Sequence, residues 1–175
     1  MTERSIIQLG DPQLRSHAQP VADFADPRIQ LLIDDLIETA QAANGVGIAA
    51  PQVGESLRLF IVASRPNLRY PHAPSMAPTA MLNPQIIAHS DEAIEAWEGC
   101  LSVPDRRGQV RRYREIEVTY QDRWGKPQRQ VLTDFVARIF QHEYDHLEGR
   151  VFVDRVEDPQ TLLSEADYFA QAVGA

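Results

Sequence analysis

The sequence predicts an α+β fold, with mixed or antiparallel strands packed around a central helix that carries an HExxH pattern, in one domain over 1–175. Three observations predict it. Apolar residues recur at helical spacing in two well-separated segments. Short runs of strand-forming residues cluster between them, and the last two runs are joined by a glycine-containing turn. A chain of 175 residues, 43% hydrophobic and 24% charged, is long enough to bury a core and is expected to do so once.

The first helix is expected over 27–43, where Ile29, Leu32, Ile33, Leu36, Ile37 and Ala40 form one stripe. Asp26 is its candidate N-cap, Pro27 occupies the first helical position, and Asn44-Gly45 supplies a stop. Leu57–Ala63 reads as a strand of buried aliphatic residues. Residues 65–78 hold Pro66, Pro71, Pro74 and Pro78 without periodicity, which predicts an exposed loop inserted within the domain. Strands are expected at Met81–Ala88, Glu115–Gln121 and Gln128–Leu132, the last two forming a hairpin through 122–126. Thr133 or Asp134 caps a second helix that runs to about Glu148, with Gly149 placed to end it. A last helix is expected over 160–173.

Composition excludes several classes of function. A net charge of −8 argues against gripping phosphates, so no DNA partner is expected. No apolar run approaches 18 residues, so no membrane partner is expected, and Met1–Leu9 does not read as a signal peptide. A soluble, cytoplasmic single domain is the expectation. The lone cysteine, Cys100, excludes an internal disulfide and is a buried filler, a reactive thiol or a metal ligand.

The informative segment is His142-Glu143-Tyr144-Asp145-His146. Histidines at i and i+4 on a helix lie on one face, with Cβ atoms roughly 5–6 Å apart, so both imidazoles can meet one ion. Glu143 projects from a neighbouring angle, within reach of a water on that ion, and is the candidate acid/base. A catalytic centre of this kind usually has three protein ligands. Cys100, Glu165 or another carboxylate is the candidate third. Glu165 has the downstream placement seen in zinc endopeptidases, but Phe169 stands where their usual partner aspartate would be. Cys100 lies in a glycine-flanked segment, Glu98-Gly99-Cys100-Leu101-Ser102, read as a loop between strands, where a thiolate would suit iron or zinc. Gly45-Val46-Gly47-Ile48-Ala49-Ala50-Pro51-Gln52 spaces its glycines like a dinucleotide loop, but it follows a helix and Pro51 spoils the helix that should come next. It reads instead as a small-residue turn, or as bare backbone laid against a peptide with Gln52 donating.

Taken together and in order, Gly45–Gln52, Glu98–Ser102 and His142–His146 resemble the GxGxAAxQ, EGCLS and HExDH motifs of the peptide deformylases, with no departure at a defining position. The similarity runs from the first helix to about Asp154. It implies that Cys100, His142 and His146 ligate one Fe2+ per chain, with Zn2+, Ni2+ or Co2+ as substitutes, and that Glu143 is the general base and then the acid. It implies that the Gln52 side chain and the Leu101 N–H face the developing oxyanion. The implied reaction is hydrolysis of the N-formyl group from N-formylmethionyl nascent peptides, releasing formate. Val46, Gly47, Phe135 and Ile139 are the substrate-contact candidates, the last two sharing a helical stripe with His142. Glu98 and Asp145 are candidates to orient the ligands, with Arg112 as a charge partner of Glu98, while Arg138 points off the stripe. Contact with the ribosome is expected to be transient. Beyond Arg155 the chain carries Glu157, Asp158, Glu165 and Asp167 and no Lys or Arg, which disfavours docking on RNA.

Overall fold

Asp26 and Pro27 start the first helix as their chemistry predicts. In the computed structural model, which describes residues 2–173, α1 spans Pro27–Ala42 and the Asp26 carboxylate accepts from the Arg28 N–H at 2.8 Å. Asn44 reverses the chain at φ 53°, and the Gly45 N–H closes the turn onto the Ala40 carbonyl. The chain then forms β1 (Gly47–Ala49), β2 (Leu59–Val62), β3 (Thr79–His89), β4 (Ala93–Cys100), β5 (Val103–Tyr113), β6 (Glu115–Gln121) and β7 (Pro127–Thr133). After these come α2 (Asp134–Leu147) and α3 (Glu165–Val173), separated by short 3-10 turns.

All pairings between the named strands are antiparallel. One sheet has the order β1-β2-β3-β6-β7, and the second is the β4–β5 hairpin. The alternation of β2 explains its four apolar residues. Leu59 and Ile61 face Leu32, Ile33 and Leu36 of α1, while Phe60 and Val62 face Ile139 and Phe140 of α2. The β2 strand is thus buried between two helices, one on each face of the sheet. An edge-on contact between the Phe60 and Phe140 rings, 5.0 Å between centroids, locks α2 to it. α2 also packs against the β5 strand of the hairpin, so it touches both sheets. Among the described residues no helix is long and apolar enough to cross a membrane.

Several expectations are corrected. Cys100 is not in a loop but is the last residue of β4, and the hairpin that carries it did not stand out in the sequence. Its inward positions on β5 include Gly108 and Arg112 beside Val110, so the usual apolar alternation is masked by a glycine and a buried arginine. Residues 47–49 are a strand rather than part of a turn, and a 3-10 turn over Ala50–Val53 follows. The proline-rich segment has no helix or strand, as expected, but it is not simply exposed. Ala73 is buried and Tyr70 leans on Phe135 at 4.8 Å between ring centroids. The expected last helix is split: a 3-10 turn at Pro159–Thr161 precedes α3, and between them Leu163 pairs with Arg107 of β5 through two 2.9 Å backbone bonds.

Candidate metal centre

Helix α2 brings His142 and His146 together on one face, with ring centroids 5.3 Å apart and planes at 74°. The tip of the β4–β5 hairpin delivers Cys100 to them, its Sγ 3.3 Å from His146 Nε2. One ligand atom from each of Cys100, His142 and His146 falls within 4.8 Å of the others. Tetrahedral ligands at ordinary metal–nitrogen and metal–sulfur distances sit about 3.5 Å apart, so this spacing and donor set fit an iron- or zinc-type ion. Burial alone would push the Cys100 thiol up, but the facing His146 and His142 rings hold it down at about 5. A thiolate is therefore available as a soft ligand at neutral pH.

A charged group behind His142 fixes its orientation, whereas the buried His146 Nδ1 has no hydrogen-bond partner among the described residues. Glu98, on β4, accepts from His142 Nδ1 at 2.9 Å, which turns the Nε2 side of that ring toward Cys100 and His146. The same carboxylate accepts two 3.0 Å bonds from Arg112 and one of 2.7 Å from Arg138. Burial works against its charge, yet Arg112 and His142 keep Glu98 well below the usual carboxylate range. Arg112 extends the chain of charges to Asp145 at 2.6 Å, and Arg155 donates to Asp145 from the far side. The expected Glu98–Arg112 pairing is present. Asp145, in contrast, reaches His142 only through Arg112 and Glu98. Arg138 does not point away: it is buried, caps Glu98 and donates to the Val110 carbonyl.

Glu143 lies across from the ligand cluster, buried, with Oε2 lacking any hydrogen-bond partner among the described residues. Burial pushes its carboxyl up to about 7 against the opposing pull of His142 and His146. Gly47 of β1 lies flat on it, and a Cβ there would come within 2.5 Å of Glu143 Oε1 and 2.9 Å of Ile139 Cγ2. Gln52 is held by its own turn: Oε1 accepts from the Ala49 N–H at 2.8 Å, and Nε2 donates to Ser102 Oγ at 3.1 Å. That leaves Gln52 Nε2 3.5 Å from Cys100 Sγ, beside the cluster. Leu101 follows Cys100 in the chain, and its side chain packs under Gly45.

These groups open onto a cleft of about 170 Å³. Val46, Gly47, Phe135 and Ile139 line it together with Gln52, Cys100, Leu101, His142 and Glu143, so the structure gathers the residues singled out in the sequence around one space. His146, fully buried, stands behind the cleft wall. Arg69, Tyr70 and Arg107 also line the cleft without having been singled out. Their signal was hidden, because none sits in a motif or on an amphipathic helix. Glu165 is there as well, but as the partner of Arg69 and Arg107 rather than beside the histidines. That placement removes it as a third metal ligand. Ser102 stood within a quoted motif, but only the structure assigns it to Gln52.

Comparison with known proteins places this geometry in context. The family model described as polypeptide deformylase matches residues 3–161. Peptide deformylase 2 of Nostoc sp. is 63% identical over 163 residues, covering 93% of this chain and 91% of that protein. Peptide deformylase 1 of Bordetella pertussis is 46% identical, with 88% of each chain covered. The Met-Ala-Ser-bound crystal structure of class I type b peptide deformylase from Acinetobacter baumannii superposes with a TM-score of 0.87 at 44% identity, covering 89% of this chain and 99% of that one.

Proposed function

The chain belongs to the polypeptide deformylase family, and from that premise we propose how its residues divide the work. The enzyme is a metal-dependent hydrolase that removes the N-formyl group from newly synthesised polypeptides. In this reading one catalytic domain over 1–175 holds one divalent ion, Fe2+ in the native state, through Cys100, His142 and His146. The observation that carries the ligand set is the convergence of these three donors, with Glu98 fixing the His142 tautomer from behind. An ion held there supplies Lewis-acid polarisation of water and of the formyl oxygen.

The protein's own groups then manage protons, charge and orientation. Glu143 takes the proton of the attacking water as the new C–O bond forms at the formyl carbon. The same carboxyl returns a proton to the α-nitrogen as the C–N bond breaks, giving formate and a free amine. A carboxyl lifted to about 7 is suited to both transfers near neutrality. Gln52 Nε2 and the Leu101 N–H are the donors to the oxygen that gains charge, and the bonds to Ala49 and Ser102 hold the Gln52 amide ready. Val46, Gly47, Phe135 and Ile139 bracket the methionine side chain and the adjoining backbone. The Acinetobacter relative was crystallised with Met-Ala-Ser bound, which matches the product expected here.

The test is formate release from formyl-Met-Ala-Ser by protein prepared anaerobically with Fe2+, beside Glu143→Ala. Turnover in the parent and its loss in the variant are expected, and retained turnover in Glu143→Ala would overturn the role given to that residue. Zn2+, Ni2+ and Co2+ forms compared in the same assay decide the preferred ion. We place the enzyme in the cytoplasm, where nascent chains emerge. Its ribosome contact is transient and made away from the acidic segment after Arg155.

A further inference from the structure

The mouth of the cleft is closed on one side by a segment beyond residue 161, where the family match ends. Glu165, the first residue of α3, accepts from Arg69 Nε at 2.7 Å and from Arg107 Nη2 at 3.1 Å, both through one carboxylate oxygen. It thereby ties the proline-rich segment and β5 to the C-terminal segment at the cleft rim. Arg107 is fully enclosed there, its side chain 3% exposed. Its guanidinium rests against the backbone of Gly99, where a Cβ would come within 2.8 Å, and Tyr168 and Tyr70 flank it at 5.3 and 5.7 Å. Nη1 donates to the Tyr70 hydroxyl, and the Arg107 backbone pairs with Leu163. Arg107 therefore has its donors directed inward. Arg69 is different: only its Nε edge is engaged by Glu165, while the side chain remains 34% exposed and lines the cleft.

We propose that Glu165 is a positioning residue for the peptide that follows the formyl-methionine, presenting the free edge of the Arg69 guanidinium to backbone carbonyls of the next residues. This rests on the deformylase reading. The physical basis is pre-organisation. An unpaired arginine on an irregular segment samples many rotamers, whereas one clamped at Nε meets its acceptor with little further loss of entropy. The ligand chemistry is an acceptor group of an extended peptide, which explains why recognition would depend on chain length and not on side-chain identity. Clamping Arg107 with the same carboxylate keeps a buried charge paired and the rim closed.

The experiment measures kcat and KM for formyl-Met and for formyl-Met-Ala-Ser, using Fe2+-loaded parent, Glu165→Gln and Arg69→Ala. Arg69 is half-exposed, so its removal does not threaten the fold. The expected result is a fall of about tenfold in the preference for the longer peptide in both variants, carried by KM, as loss of one charge-assisted hydrogen bond predicts. Glu165→Asp should recover part of it. An unchanged preference in Arg69→Ala, or an equal loss on both substrates carried by kcat, would overturn the proposal. Glu143→Ala assayed alongside separates the two ideas: if that variant still turns over, the catalytic assignment fails whatever the rim does.

Discussion

At Gly47 the backbone of β1 lies so close to Glu143, the proposed acid/base, that an added side chain would collide with it. Gly47→Ala would drive a methyl group against Glu143 and Ile139. Displacing a catalytic group by about 1 Å can cost on the order of 100-fold in turnover, so the variant should lose roughly that in kcat while keeping its metal. Metal content measured beside kcat tests it, and full activity would show that Glu143 can move aside freely. Glu98 carries a different kind of burden. Arg112, Arg138 and His142 all converge on its carboxylate. Glu98→Ala should weaken metal binding about 10–100-fold through the freed His142 ring. It should also destabilise the fold by about 3–5 kcal/mol through uncompensated buried arginines. Competition with a chelator reads the first effect and denaturant unfolding the second. If affinity holds while stability falls, Glu98 serves the fold alone.

At the scale of elements, α2 and the β4–β5 hairpin are separate pieces joined by buried charge, which makes their junction sensitive to acid. Burial disfavours the Asp145 charge, but Arg155 and Arg112 more than offset it and hold its carboxyl below the ordinary range. A carboxyl lowered by folding contributes stability that is complete above its unfolded value, near 4, and is lost as pH falls through the folded value. The Asp145 contribution should therefore form a plateau from neutral pH down to about 5 and decline below about 4. Asp145→Asn should lower the plateau by roughly 3 kcal/mol and flatten the acid decline. Urea unfolding between pH 3 and 7 checks both, and a parent curve with no acid limb would remove the ion chain from the account. The same junction marks what could be read from the sequence. Helices α1 and α2 and the β6–β7 hairpin were legible because periodicity and caps are local signals, and the meeting of His142 with His146 because i and i+4 share a helix face, whereas Cys100 was expected beside them only through the family resemblance. The β4–β5 hairpin was not, since its inward face carries Glu98 and Arg112, charges tolerable inside only because partners from α2 meet them. Arg138 was misread for the same reason, as helical spacing reports a direction but not the carboxylate waiting there.

For the molecule as a whole, the ion would join two bodies that otherwise meet through α2 and its buried charges. The five-stranded sheet and its helices form a core built on β2, while the hairpin has its own small cluster of Val103, Val110 and Phe152. Cys100 belongs to the hairpin, and His142 and His146 belong to the helix that packs on the large sheet. A ligand set split in this way binds the native arrangement and not the unfolded chain, so metal occupancy adds to folding stability. At free ion 100-fold above its dissociation constant the gain is about 2.7 kcal/mol, which for a chain of this size raises Tm by about 7 °C. Stripping the metal should lower Tm by about that amount, with hydrogen exchange rising first in β4 and β5 and only later in β2 and β3. Cys100→Ser tests the cause, because weaker ligation should shrink the difference between metal-loaded and stripped protein without lowering the stripped Tm much. Should stripping leave Tm and hairpin exchange unchanged, the hairpin is held by the Glu98–Arg112–Asp145 chain and its packing on α2, and the metal serves catalysis without supporting the fold.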